Sequence, residues 1–203
     1  MTSCCESKSE ELALLRNKQR IVLIIVLVIN AVMFFVEFTF GILSKSTALL
    51  ADSLDMLGDA TVYAFSLYVI NKNQKWKAYA ALLKGLLISI FGLFVFYEAT
   101  NKMFSDILPI TNTMGYIGTM ALIANITCLA LLLKHKEDDI NMRSTWICSR
   151  NDIIANIGVI TAAICVSYFN SKWPDIMIGL ILATLFLRSS FSIIKESMHI
   201  INK

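Results

Sequence analysis

Leu49-Leu50-Ala51-Asp52-Ser53-Leu54-Asp55-Met56-Leu57-Gly58-Asp59 lies inside an otherwise apolar segment. Its three carboxylates fall at i, i+3 and i+7, which is one stripe of a helix. An aspartate at the centre of a membrane-spanning helix costs roughly 3 kcal/mol on insertion scales. A helix that is apolar elsewhere and acidic along one stripe must turn its acids toward each other, toward water or toward a cation.

The surrounding chain sets the solvent. Of its 203 residues, 57% are hydrophobic and only 16% are charged, and the mean hydropathy is +0.67. Soluble domains carry about a quarter charged residues. The apolar runs are long and unbroken, unlike the short alternating segments of a membrane β-barrel. The fold class is therefore all-α, a polytopic membrane protein. Apolar segments fall at about 21–43, 47–70, 78–101, 112–133, 144–169 and 174–195, each near or above the ~20 residues that cross a bilayer. Residues 1–20 are of mixed charge and read as a cytoplasmic N-terminal segment. Residues 21–203 read as one six-helix transmembrane domain, with no C-terminal cytoplasmic domain expected. The first apolar run is too long for the core of a cleavable signal peptide. Five cysteines, at positions 4, 5, 128, 148 and 165, show no disulfide or zinc-ribbon spacing.

Lysine and arginine set the orientation. Lys8, Arg16, Lys18 and Arg20 precede the first span. Lys72, Lys75 and Lys77 lie in or beside the second connection, Lys134, Lys136 and Arg143 in or beside the fourth, and Lys195 and Lys203 at the tail. The opposite side has Lys45, Lys102 and Lys172. The bias places both termini in the cytoplasm, as an even number of spans requires. The short loops and this bias suit a bacterial inner membrane. Glu98 and Lys102 are spaced to pair along their helix, and Arg150 is close enough to a cytoplasmic end to snorkel.

The acids of span two have counterparts in span five. Asp55 and Asp59 are i, i+4, and so are Cys148 and Asp152. At ~1.5 Å per residue, Asp55 and Asp59 lie ~12–18 Å in from the outer end of span two, and Cys148 and Asp152 ~6–12 Å in from the inner end of span five. In a core ~30 Å thick, Asp59 and Asp152 nearly meet in level. Two such pairs on facing helices surround a point with three oxygens and a sulfur. That set suits a tetrahedral divalent metal, and the thiolate favours zinc, cadmium or cobalt over magnesium, calcium or manganese. Asp52 is ~10 Å along the axis from Asp59, too far to share one ion with it easily.

These stretches resemble the cation diffusion facilitator family of divalent-metal/proton antiporters. Ser44 to Ala60 resembles the family's second-span signature, with its ligand pair falling on Asp55 and Asp59. Trp146-Ile147-Cys148-Ser149-Arg150-Asn151-Asp152, followed by Asn156-Ile157-Gly158, resembles the fifth-span signature, with its pair falling on Cys148 and Asp152. Glu37, Glu98 and Asn125 also look like family positions. Three features depart from the family. Cys148 stands where His is usual, the second connection lacks the usual loop pattern, and the family's cytoplasmic ferredoxin-like domain is not expected here.

The resemblance implies a secondary transporter, not an enzyme. It would export a divalent cation, zinc first and cadmium or cobalt as alternatives, in exchange for protons. Asp55, Asp59, Cys148 and Asp152 would be the metal ligands, with Asp52 and Asn156 beside them. It also implies a homodimer in lipid, no permanently bound cofactor and no nucleic-acid partner. Two rivals are a non-transporting partner subunit and an intramembrane aspartyl protease. The latter would want Gly-x-Gly-Asp where this chain has Met56-Leu57-Gly58-Asp59.

Overall fold

The computed structural model describes the backbone of residues 4–69, 74–133 and 140–201. The side chains of residues 140–151, Cys148 and Arg150 among them, lie outside the described residues, as does the fourth connection with His135. Among the described residues the chain is helical, without strands: α1 (Cys4–Ser44), α2 (Thr47–Val69), α3 (Gln74–Met103), α4 (Thr111–Leu133), α5 (Ile140–Phe169) and α6 (Trp173–Ile201). Helices satisfy their own backbone groups, which is what a bilayer demands of a spanning segment.

The helices begin and end where the sequence changes chemistry. Lys45 takes a left-handed conformation (φ 56°) and ends α1, while the Ser46 amide donates to the Gly41 carbonyl at 3.0 Å. Ser46 then caps α2, its Oγ accepting the Leu49 amide at 3.0 Å. Asn170 (φ 48°) ends α5 in the same left-handed conformation, one that Asn tolerates better than most residues. Pro174 stands in the first turn of α6, where a missing amide hydrogen costs nothing.

Helix α2 is the hub. It packs against α1, α3, α5 and α6, while α4 packs on α1 and α5. Every residue from Ser46 to Leu54 is buried. One core cluster joins Leu50 and Leu54 of α2 to Val95 of α3, Met114 of α4, Val159 of α5 and Leu182 of α6. Close approach relies on small residues, as is usual between membrane helices. A Cβ on Gly179 of α6 would come within 2.7 Å of the Thr47 carbonyl carbon at the start of α2. Ser190 of α6 donates to the Gly85 carbonyl of α3 at 2.6 Å. Large apolar side chains such as Phe35, Ile90, Ile123 and Ile164 face outward. Outside a bilayer that surface would be an aggregation hazard; inside one it is the lipid face.

The helices overrun several expected limits. Helix α1 continues through the charged lead-in to Cys4, α5 begins at Ile140, and α6 reaches Ile201 rather than residue 195. The apolar run marks the hydrocarbon, and a helix can continue beyond it into water. Five helices are long and apolar enough to cross a membrane. The sixth, α2, is 23 residues long but carries Asp52, Asp55 and Asp59.

Candidate metal site

Asp55, Asp59 and Asp152 line one cavity of about 690 Å³. Helix α2 supplies the first two from adjacent turns of one face, with Leu54 and Gly58 beside them on the wall. Helix α5 supplies Asp152, which is 6% exposed. A long wall comes from α6, from Ile178 to Ile193, and is apolar but for Ser189. That is ~22 Å of helix by the 1.5 Å rise. The cavity therefore runs toward the C-terminal end of α6. Tyr63, one turn beyond Asp59, donates its hydroxyl to Asp59 Oδ2 at 3.1 Å and orients that carboxylate.

Three carboxylates in a partly apolar cavity attract cations and offer oxygen donors. Among the described residues, no three His, Cys, Asp or Glu side chains stand close enough to hold one ion. The fourth ligand expected from the sequence, Cys148, lies in α5 with its side chain outside the described residues. Its backbone is one turn before Asp152 in the same helix.

The residues expected beside the ligands do not line the cavity. Asn156 is buried and donates its amide to the Asp152 carbonyl at 2.8 Å, bracing the turn that carries Asp152. Asp52 is fully buried, and among the described residues neither of its oxygens has a hydrogen-bond partner; the same holds for Glu37 on α1.

A second polar cluster closes the opposite end of the bundle. Asp175, in the first turn of α6, is fully buried. It accepts hydrogen bonds from Ser46 Oγ (2.6 Å), the Thr47 amide (2.8 Å) and the Ala48 amide (3.1 Å). Lys102 of α3 pairs with its other side at 2.7 Å and also donates to the Lys45 carbonyl. One carboxylate thus neutralises the N-terminus of α2 and a buried ammonium together. This corrects the expected Glu98–Lys102 pair: Lys102 turns to Asp175. Local spacing favoured Glu98, but Asp175 offers a dry carboxylate already held by three other donors. Lys172 is also held locally, by the Met103 carbonyl at 3.1 Å, the Ser105 carbonyl and Asp106 at 3.8 Å. Nothing in the sequence near Asp175 announces these partners, which come from 73 to 129 positions away.

Residues 23–201 match the cation efflux transmembrane domain. The chain is similar to the cadmium, cobalt and zinc/H(+)-K(+) antiporter of Bacillus subtilis, at 26% identity over 90% of this chain and 63% of the relative. It is 30% identical to the zinc transporter ZitB of Pectobacterium atrosepticum, over 85% of this chain and 58% of that one. It is 23% identical to the metal cation efflux system protein CzcD of Cupriavidus metallidurans, over 87% and 60%. The chain thus spans about three-fifths of the length of these relatives.

Proposed function

The chain belongs to the cation efflux family, and from that premise we propose that it exports a divalent transition-metal cation, zinc first, in exchange for protons. The observation that carries the proposal is the meeting of Asp55, Asp59 and Asp152 on one intramembrane cavity. The names of the Bacillus, Pectobacterium and Cupriavidus relatives support metal as the cargo.

Carboxylates, and a thiol if Cys148 joins them, must lose protons to bind metal. Metal and protons therefore compete for Asp55, Asp59, Cys148 and Asp152. A sulfur donor favours zinc, cadmium or cobalt over harder cations. With both termini in the cytoplasm, the cavity runs toward the cytoplasmic end of α6, and the Asp175 cluster holds the outer end shut. In that arrangement metal loads from inside. Opening of the outer end would let protons displace it. A homodimer in a bacterial inner membrane is part of the same proposal.

Zinc uptake into inverted vesicles or proteoliposomes under a pH gradient tests this reading. The purified chain alone should transport, and the Asp59→Ala, Asp152→Ala double variant should not. Full activity of that variant would overturn the proposal. No transport by the wild-type chain alone would point instead to a partner subunit of another transporter.

A further inference from the structure

A metal ion leaves most of the acid-lined cavity unused. The cavity holds about 690 Å³, within the ~300–1,000 Å³ of sites for small organic ligands. An ion with six waters fills only about 200 Å³, at ~30 Å³ per water. The acids are gathered toward one end. A Cβ on Gly158 of α5 would meet Ile178 of α6 at 3.7 Å. These neighbours run antiparallel, so Asp152, ~9 Å along α5 from Gly158, stands level with the middle of the α6 wall. Gly179 of α6 abuts Thr47 of α2, and those two helices run parallel. Asp55 and Asp59, ~12 and ~18 Å beyond Thr47, therefore stand level with the later part of that wall. Ile178 and Ile181 precede all three acids and make the other end apolar.

The cavity is also open sideways. Met177, Ile181 and Leu185 fall at i, i+4 and i+8 on α6, and each is more than half exposed, as is Ile154 on α5. That stripe faces the hydrocarbon, yet Ile154, Ile181 and Leu185 line the cavity too. They form its lips, and the cavity meets the bilayer between α5 and α6. An opening of this kind selects its occupant by charge. An apolar tail gains little by leaving lipid for the α6 wall, because lipid is as apolar as the wall. A positive head in hydrocarbon carries a desolvation penalty, and carboxylates close by at low dielectric offset it. A substituted ammonium needs negative charge nearby but no fixed coordination geometry, which suits acids spread over two helices. Arg188, the one arginine of α6, does not line the cavity.

We propose that the cavity also binds a lipophilic cation, an amphiphile with an alkylammonium head and an apolar tail. It enters from the bilayer between α5 and α6, sets its head among Asp55, Asp59 and Asp152, and lays its tail along Ile178 and Ile181. Such a ligand competes with metal for the same acids. That competition rests on the metal reading above, whereas the binding itself does not.

The test uses the purified full chain in phosphatidylcholine nanodiscs, without divalent metal. Two photoreactive probes are compared at equal concentration in the membrane: an alkyltrimethylammonium with a diazirine on its tail, and the uncharged alcohol of the same chain. Labelled peptides are mapped by mass spectrometry, and α4 near Ile123, on the lipid face, gives the background. The cation should label α6 between Ile178 and Leu185 at least about tenfold more than the alcohol does, the ratio expected of one effective charge interaction. In the Asp59→Asn, Asp152→Asn variant its labelling should fall toward the alcohol's level; if that variant does not fold, the wild-type ratio decides alone. Equal labelling by the two probes identifies a lipid-filled groove and overturns the inference. Labelling by the cation no stronger at α6 than at Ile123 overturns it as well. If, in addition, Ile181→Cys protomers join by a disulfide, the face belongs to a second copy. Saturating zinc should suppress the cation's labelling. Charge-selective labelling that zinc leaves unchanged sustains this site and counts against the metal reading, and zinc binding without charge-selective labelling does the reverse.

Discussion

Removing Asp175 should cost far more than removing its ion-pair partner Lys102. Asp175→Ala deletes four hydrogen bonds at once and strands an ammonium that is 7% exposed. Breaking a buried pair from one side costs about 3–5 kcal/mol, because the remaining charge keeps its desolvation penalty. Lys102→Met removes the charge and fills most of the volume. Asp175 would still be held by Ser46 Oγ and by the Thr47 and Ala48 amides, and the N-terminus of α2 would continue to offset its charge. The ammonium's bonds to Asp175 and to the Lys45 carbonyl are lost, the one to Asp175 worth about 1.5–3 kcal/mol. At the middle of these ranges the two variants differ by about 2 kcal/mol, and the three further bonds lost with Asp175 widen the gap. The double variant should be less destabilised than the sum of the singles by ~1–3 kcal/mol, since no ammonium is left stranded. Equilibrium unfolding in mixed micelles, followed by helical circular dichroism, measures all three. Equal costs for the two single variants, or strict additivity in the double, would refute the view that Asp175 serves the helix terminus and the lysine together.

Gly179→Ala forces a Cβ to within 2.7 Å of backbone at Thr47 and should destabilise by about 1–3 kcal/mol; Gly115→Ala, whose Cβ would meet nothing within 4 Å, serves as the control, and equal behaviour of the two by unfolding would contradict the close α2–α6 approach. Tyr63→Phe removes the 3.1 Å hydrogen bond to Asp59, worth about 0.5–1.5 kcal/mol. Zinc binding measured by calorimetry should weaken by up to about tenfold, short of the loss in Asp59→Ala; losses of the same size would argue against a positioning role. Cys148→His should retain transport and shift preference among zinc, cadmium and cobalt, and an unchanged profile in a competition assay would count against Cys148 as a ligand.

The helices were legible because the bilayer imposes one requirement on every span, and length plus apolarity report it directly. The breaks at Lys45–Ser46 and near Asn170 fell where expected because polar, turn-forming residues interrupt apolar runs. The helix limits in charged sequence were not legible, since α1 and α6 continue beyond the apolar run. The Asp175 cluster was hidden for another reason. Its carboxylate stands in α6 while its donors come from the α1–α2 junction and from α3, and no spacing rule connects positions so far apart. The Glu98–Lys102 expectation failed on the same ground, because helical spacing counts local partners only.

The stripe in α2 shows where periodicity stops being informative. Asp52, Asp55 and Asp59 share one helical face, and by sequence alone they differ only in depth. The fold separates them by what packs alongside. Asp55 and Asp59 line the cavity walled by α6, and Asp152 lines it with them. Asp52, one turn nearer the Asp175 cluster, lies where α2 is enclosed on every side. The same residue type, three positions apart, thus stands in two kinds of surroundings: the wall of a cavity, and a fully buried position away from it. Mounting them on adjacent turns of a single hub helix would let any displacement of α2 act on both together.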